Sequence, residues 1–176
     1  MKSTGVIRRI DELGRIVIPK EIRRHLGIRE GENLEIYTED NNCIVLKKYS
    51  KMLEYAEFSL KLCNLVPSTM NLGMMVTDRD KVVSVSDNIE LEEDSCEISS
   101  KLLEFIQNRE SYESSMKEKI IFGNQEIEGY FYIQPIISSI DCLGLILFLK
   151  DQTYRLEEKN FAKFLSSMIA NKIDIS

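Results

Sequence analysis

The sequence predicts an α+β protein built in two parts, and three observations carry that reading. The first fifty residues are short strand-like runs around one brief helical stretch, closely punctuated by Gly and Pro. A basic junction, Lys47-Lys48-Tyr49-Ser50-Lys51, follows, and the apolar pattern then changes to helical spacing. Beyond the junction the order is helix, several strands joined by turn residues, and a final helix, the order expected of helices packed on a mostly antiparallel sheet. The expected domains are therefore residues 1–50 and 51–176.

Thr4 to Ile10 alternates, with Val6, Arg8 and Ile10 on one face and Ile7 and Arg9 on the other, as a strand does. Asp11-Glu12-Leu13-Gly14 is a turn, and Arg15 to Ile18 is a second short strand. Pro19 is expected as the first-turn residue of a helix that Gly27 ends. Asn33 to Thr38 and Cys43 to Lys48 read as a third and fourth strand. The first fifty residues are thus too few for a comfortable core of their own. A partner chain that interleaves its strands into one barrel would supply what is lacking.

After the junction, Met52, Leu53, Ala56, Leu60 and Cys63 follow helical spacing, with Tyr55, Phe58 and Leu62 forming a second apolar stripe. Two stripes imply contact from two sides, hence an oligomer contact. Gly73 to Thr77 and Lys81 to Ser86 read as strands, Glu90 to Glu97 as an acidic loop, and Ser99 to Asn108 as a helix. Lys119 to Phe122, Gly129 to Ser138 and Cys142 to Leu149 are three more strands. Thr153 is expected to cap a last helix carrying Leu156, Phe161, Phe164, Leu165, Met168, Ile169 and Ile173.

Charge is divided unevenly. The chain is net −6, yet residues 1–24 hold 7 Lys+Arg against 3 Asp+Glu. Residues 51–176 hold 13 against 21. On a helix beginning at Pro19, Lys20, Arg23 and Arg24 fall at about 0°, 300° and 40°, while Ile22 and Leu26 fall at about 200° and 240°. Three cations share one face and two apolar residues the other. Arg8, Arg9 and Arg15 on the neighbouring strands extend the basic surface, and Asp11, Glu12 and Glu21 are available to pair with some of these cations. Two symmetric copies of such a surface suit double-stranded DNA, with its evenly spaced phosphates. Nothing in the pattern calls for a cofactor. The four cysteines are scattered, His25 is the single histidine, and no metal-ligand spacing or Gly-rich phosphate loop occurs. A catalytic role is therefore not expected. Neither a signal peptide nor a membrane span is readable, so the expected location is the cytosol, with no membrane partner.

The run STGVIRRIDELGRIVIPKEIRRHLGIREGENLEIYTEDNNCIVLKKY, residues 3–49, resembles the AbrB-type swapped-hairpin DNA-binding domains, most specifically through DELGRIVIPKEIRRHLGI. The resemblance implies an interleaved β-barrel homodimer that regulates transcription. By the same token it implies DNA contacts from Arg8, Arg15, Arg23 and Arg24, with lesser contributions from Lys2, Arg9 and Lys20. The whole chain, through its length, LKKYS at the junction and KDQT at 150–153, is similar to the SpoVT-type regulators of endospore-forming bacteria. That similarity implies a nucleoid-associated activator and repressor of forespore genes. The alternative is an antitoxin-like or other protein-interaction module using the same swapped fold. Residues 51–176 resemble a GAF-type α/β sandwich through YFYIQPIISSIDCLGLILFLKDQT. Two readings stand for that domain: a sensor of an unidentified small-molecule effector, or a packing domain whose helices make a homotetramer.

Overall fold

The computed structural model describes residues 5–40, 42–139 and 141–175. It divides into two compact units, Met1–Tyr49 and Ser50–Ser176.

The first unit holds one short helix, α1 (Lys20–His25), and one hairpin, β1 (Leu34–Glu39) and β2 (Cys43–Lys48). Pro19 stands just outside the helix rather than in its first turn. Its ψ of 148° is extended, while its carbonyl already accepts the Arg23 N–H at 3.0 Å. Gly27 ends the helix as read, at φ +63°, where an L side chain is strained. The Ile28 N–H reaches back to the Arg23 carbonyl at 2.8 Å, closing the helix end in a Schellman arrangement. In the hairpin Ile36 lies opposite Leu46 and Thr38 opposite Ile44, so these side chains share a face. The expected strands Thr4–Ile10 and Arg15–Ile18 are corrected: over the described residues neither joins a ladder within the chain. A strand needs a neighbour with free N–H and C=O groups, and over the described residues neither arm is paired with another strand of the chain.

No described residue of this unit is buried. Ile7, Ile10, Leu13, Val17 and Leu26 are exposed, as are Ile36 at 67% and Ile44 at 66%. The single chain therefore offers these side chains no core.

The second unit begins with α2 (Lys51–Glu54) and α3 (Ala56–Met70). The helix expected over Met52–Cys63 is thus broken at Tyr55 and runs on past Pro67. Val66, buried against the sheet one residue earlier, outweighs the hydrogen bond that Pro67 cannot donate. There follow β3 (Gly73–Thr77), β4 (Val82–Val85), a 3₁₀ turn (Glu93–Ser95), α4 (Ser100–Asn108), β5 (Tyr112–Glu113), β6 (Glu118–Phe122), β7 (Gln125–Ile137), β8 (Cys142–Lys150) and α5 (Leu156–Asp174). The sheet is antiparallel throughout, in the order β4-β3-β8-β7-β5, with β6 pairing the first part of β7.

Two cores lie on its two faces. On one, Met74, Val76, Ile146 and Phe148 meet Cys63 and Val66 of α3 and Leu165, Ile169 and Ile173 of α5. On the other, Met75, Phe131, Ile133, Leu145 and Leu147 meet Leu102 and Ile106 of α4 and Ile120 and Phe122 of β6. Burial on both sides explains why β3 and β8 read as continuous apolar runs rather than as alternation. Gly144 is required for a different reason: a Cβ there would sit 1.9 Å from the Thr77 carbonyl oxygen.

The cap of α5 is also corrected. Arg155, not Thr153, precedes the helix, and its N–H donates to Glu158 at 2.7 Å. Glu158 is placed there by the Lys150 ammonium at 2.6 Å, and the two side chains are 2% and 5% exposed respectively. No helix among the described residues is long and apolar enough to cross a membrane.

Candidate nucleic-acid interface

The arm, the turn and α1 place the cations read from the sequence. Arg8 and Arg9 are exposed on the arm, and the Arg8 guanidinium donates to the Ile7 carbonyl at 3.2 Å. Lys20 and Arg24 are exposed on α1, whereas Arg23 is half-buried. Lys2 lies outside the described residues. Ile22 is half-buried and Leu26 is 55% exposed, so the apolar face of α1 is only partly covered within one chain. Arg23, Arg24 and His25 occupy the last turn, where the unpaired carbonyls favour positive charge.

The turn between the arms is closed by a set of hydrogen bonds centred on Asp11. Gly14, at φ +77°, donates its N–H to the Asp11 carbonyl at 2.9 Å, and the Asp11 N–H donates to the Arg15 carbonyl at 3.0 Å. One Asp11 carboxylate oxygen accepts the Leu13 and Arg15 N–H groups at 3.0 and 2.8 Å. The other accepts the Arg15 Nε–H at 2.7 Å. The Arg15 backbone bond first, then its guanidinium and the Leu13 N–H, hold the Asp11 carboxyl below the usual carboxylate range. The sequence marks Asp11 as a turn residue and a pairing partner for arginine. It does not show that one carboxylate ties both the turn and the Arg15 side chain. The signal available was Asp followed by Gly three residues on and Arg four on, the spacing of a side-chain-closed turn.

The hairpin adds Lys47, whose ammonium lies 4.9 Å from the centre of the Tyr37 ring. The Tyr37 hydroxyl donates to Glu35 at 2.5 Å, and that bond raises the hydroxyl's pKa. Residue spacing alone assigns neither side chain a role. Among the described residues no three His, Cys, Asp or Glu side chains come together as a metal set. In the second unit, Asn71, Asn88, Glu128, Lys150 and Gln152 help line an open, polar cleft of about 390 Å³ beside the ends of β3 and β8.

Comparisons with known proteins match two stretches of the chain to two families. Residues 54–174 match the family described as Stage V sporulation protein T C-terminal, transcription factor. Residues 7–54 match the family described as Antidote-toxin recognition MazE, bacterial antitoxin. The chain is 34% identical to Stage V sporulation protein T of Bacillus subtilis (strain 168) over 177 residues, covering 99% of each. It is 63% identical over 49 residues to the Transition state regulatory protein AbrB of the same organism, covering 28% of this chain and 50% of that protein. The solution structure of the N-terminal DNA recognition domain of the AbrB regulator aligns at 62% identity over 28% of this chain and 92% of that one, with a TM-score of 0.25. The GAF domain of the nutrient sensor CodY from Clostridium difficile aligns at 15% identity over 65% of this chain and 83% of that one, with a TM-score of 0.48.

Proposed function

The chain belongs to the family of stage V sporulation protein T and is a DNA-binding transcription regulator of sporulation; we propose that it works as an interleaved homodimer, paired further into a tetramer, that activates and represses forespore genes. The observation that carries the DNA reading is the exposed basic arm, turn and helix on an otherwise acidic protein. Arg8, Arg15, Arg23 and Arg24 hold phosphates or base edges, and Lys2, Arg9 and Lys20 add charge around them. Few of these side chains suit fixed base readout, so the sequence and deformability of the duplex are read together.

Interleaving of residues 1–50 is supported by the absence of any buried side chain among the described residues of the first unit. Pairing of the second units is supported by apolar side chains that their own sheet leaves exposed: Leu53 and Leu60 on α2 and α3, Leu156 and Phe164 on α5. The two filled cores favour a packing role for this domain, and an effector would have the polar cleft to occupy. The antitoxin-like reading rests on the match of residues 7–54, and the folded second unit weighs against the disordered partner-binding tail such a module uses. Its DNA-bound life would be spent on the nucleoid of the forespore cytoplasm.

The test is binding of the full chain to duplex DNA as salt is raised, together with recovery of bound sites across a genome. Tight, salt-steep binding enriched at forespore promoters is expected. Binding no stronger than that of an equally acidic protein would overturn the proposal.

A further inference from the structure

We infer that Asp11 is a positioning residue for DNA binding: its carboxylate holds the Arg15 guanidinium in the orientation in which it meets the duplex. The inference rests on the reading of Arg15 as a DNA contact. An acidic residue inside a DNA-binding surface repels phosphate, so its presence there needs a reason. The hydrogen bonds supply one. Both carboxylate oxygens are committed, one to the backbone of the turn and the other to Nε of Arg15. Only one of the five guanidinium N–H donors is used. The four on the terminal nitrogens have no protein partner among the described residues, and the side chain is 72% exposed. This is a guanidinium gripped at its inner edge and presented at its outer edge, the edge that takes phosphate or guanine in a two-pronged contact.

The benefit is order before binding. A long exposed arginine loses rotamer freedom when it docks, and an arginine already held loses less. Holding it beforehand is worth about 3- to 10-fold in affinity per copy. The opposing effect is the charge itself, since deleting a carboxylate beside phosphates strengthens binding. That through-space effect weakens as salt is raised, whereas a direct hydrogen bond does so much less. The two effects have opposite signs, which makes the inference decidable.

The experiment uses the full chain with duplex DNA and four variants: Asp11→Asn, Arg15→Ala, Arg15→Lys and the double variant Asp11→Asn/Arg15→Ala. Asparagine still accepts the Leu13 and Arg15 N–H groups and suits the turn, so the fold should persist. Thermal melting of each variant checks this. Asp11→Asn is expected to weaken DNA binding about 3- to 10-fold per copy, although it removes negative charge. Arg15→Lys keeps the charge but has no Nε to be held, and it should lose affinity as well. In the Arg15→Ala background, adding Asp11→Asn should cost nothing further. The NMR signal of the Arg15 Nε–H should be protected from exchange in the parent and lose that protection in Asp11→Asn. Asp11→Asn that binds as tightly as the parent or tighter, while Arg15→Ala binds weakly, overturns the positioning role and leaves the DNA reading intact. An equal loss in both backgrounds shows that Asp11 acts through the turn alone and overturns it too. If Arg15→Ala binds like the parent, the reading of Arg15 as a contact fails, and the positioning role goes with it.

Discussion

Ile36→Ala separates a lone first unit from an interleaved one. In a single chain Ile36 is 67% exposed, opposite Leu46 on the hairpin face. If nothing covers that face, trimming an exposed side chain changes stability by no more than about 0.5 kcal/mol. If a second copy covers it, the reckoning differs. Complete burial of such a side chain is worth roughly 1.5–3 kcal/mol. Two-thirds of that remains to be gained on pairing, or about 1–2 kcal/mol per copy and about 2–4 kcal/mol per dimer. The dimer dissociation constant should therefore rise by up to about 30- to 1,000-fold. The assay is thermal melting of residues 1–50 over a hundredfold range of concentration. The parent melting temperature should climb with concentration, as mass action requires of a fold that exists only when paired. Ile36→Ala should lower it at every concentration and unfold the fragment at the lowest. A parent melting temperature independent of concentration, with Ile36→Ala indistinguishable from it, would refute the pairing argument.

Arg24→Ala, an exposed change, should leave the melting temperature within a few degrees and make the plot of log affinity against log salt shallower by roughly 1 per lost contact, or about 2 in a symmetric dimer; an unchanged slope measured by fluorescence titration counts against Arg24 as a contact. Ile22→Ala should instead lower stability before it touches affinity, which melting and DNA titration on one sample will separate. Glu158→Gln should destabilise the second unit by about 3–5 kcal/mol, because Lys150 is then buried beside a neutral group. Burial alone would raise the Glu158 pKa, but the Lys150 ammonium and the Arg155 N–H outweigh it and hold the carboxyl below its ordinary 4.5. The stability Glu158 lends is therefore complete above about pH 4.5 and lost as pH falls through the lower folded value, so acid melts of the parent should steepen there and those of Glu158→Gln should not. Cys63, buried and pushed up to about 12, should resist alkylation in the native state at neutral pH, where about one thiol in 10⁵ is ionised, while half-buried Cys96 reacts.

Where the chain supplies its own partners, periodicity located the elements closely. β3 is found at Gly73–Thr77 as read, α4 begins one residue late, and β8 runs one residue long. Each is bounded by residues with a local reason to stop, and each has its apolar face covered by the same chain. The misses share another cause. α3 continues past Pro67 because Val66 has a core to reach, a fact of tertiary packing invisible in the local pattern. The cap at Arg155 depends on Lys150, eight residues before Glu158 in sequence and on another element, so Thr153 looked the better candidate on local chemistry. β5 is only two residues long, too short for alternation to register. In the first unit the helix and the hairpin were legible, because they follow from residue spacing within one chain; the division of α1 into a basic outer face and an apolar inner face was not, since Arg23 is half-buried and Leu26 is exposed. The two arms, read as strands, find no ladder partner among the described residues.

That division explains the placement of positive charge. The arms around Asp11–Arg15 are short, and Ile16 and Val17 between the cations are exposed. Apolar side chains in that position keep their value only if a second copy covers them, and a second copy also doubles each cation in fixed register. On the proposal that the first units interleave, packing and recognition draw on the same event. The second unit, which carries the negative charge of the chain, rests its stability on its own two cores. A change that weakens pairing of the first unit should then cost DNA affinity twice over, once through the lost fold and once through the lost register. The basic face of α1, by contrast, can be weakened one contact at a time.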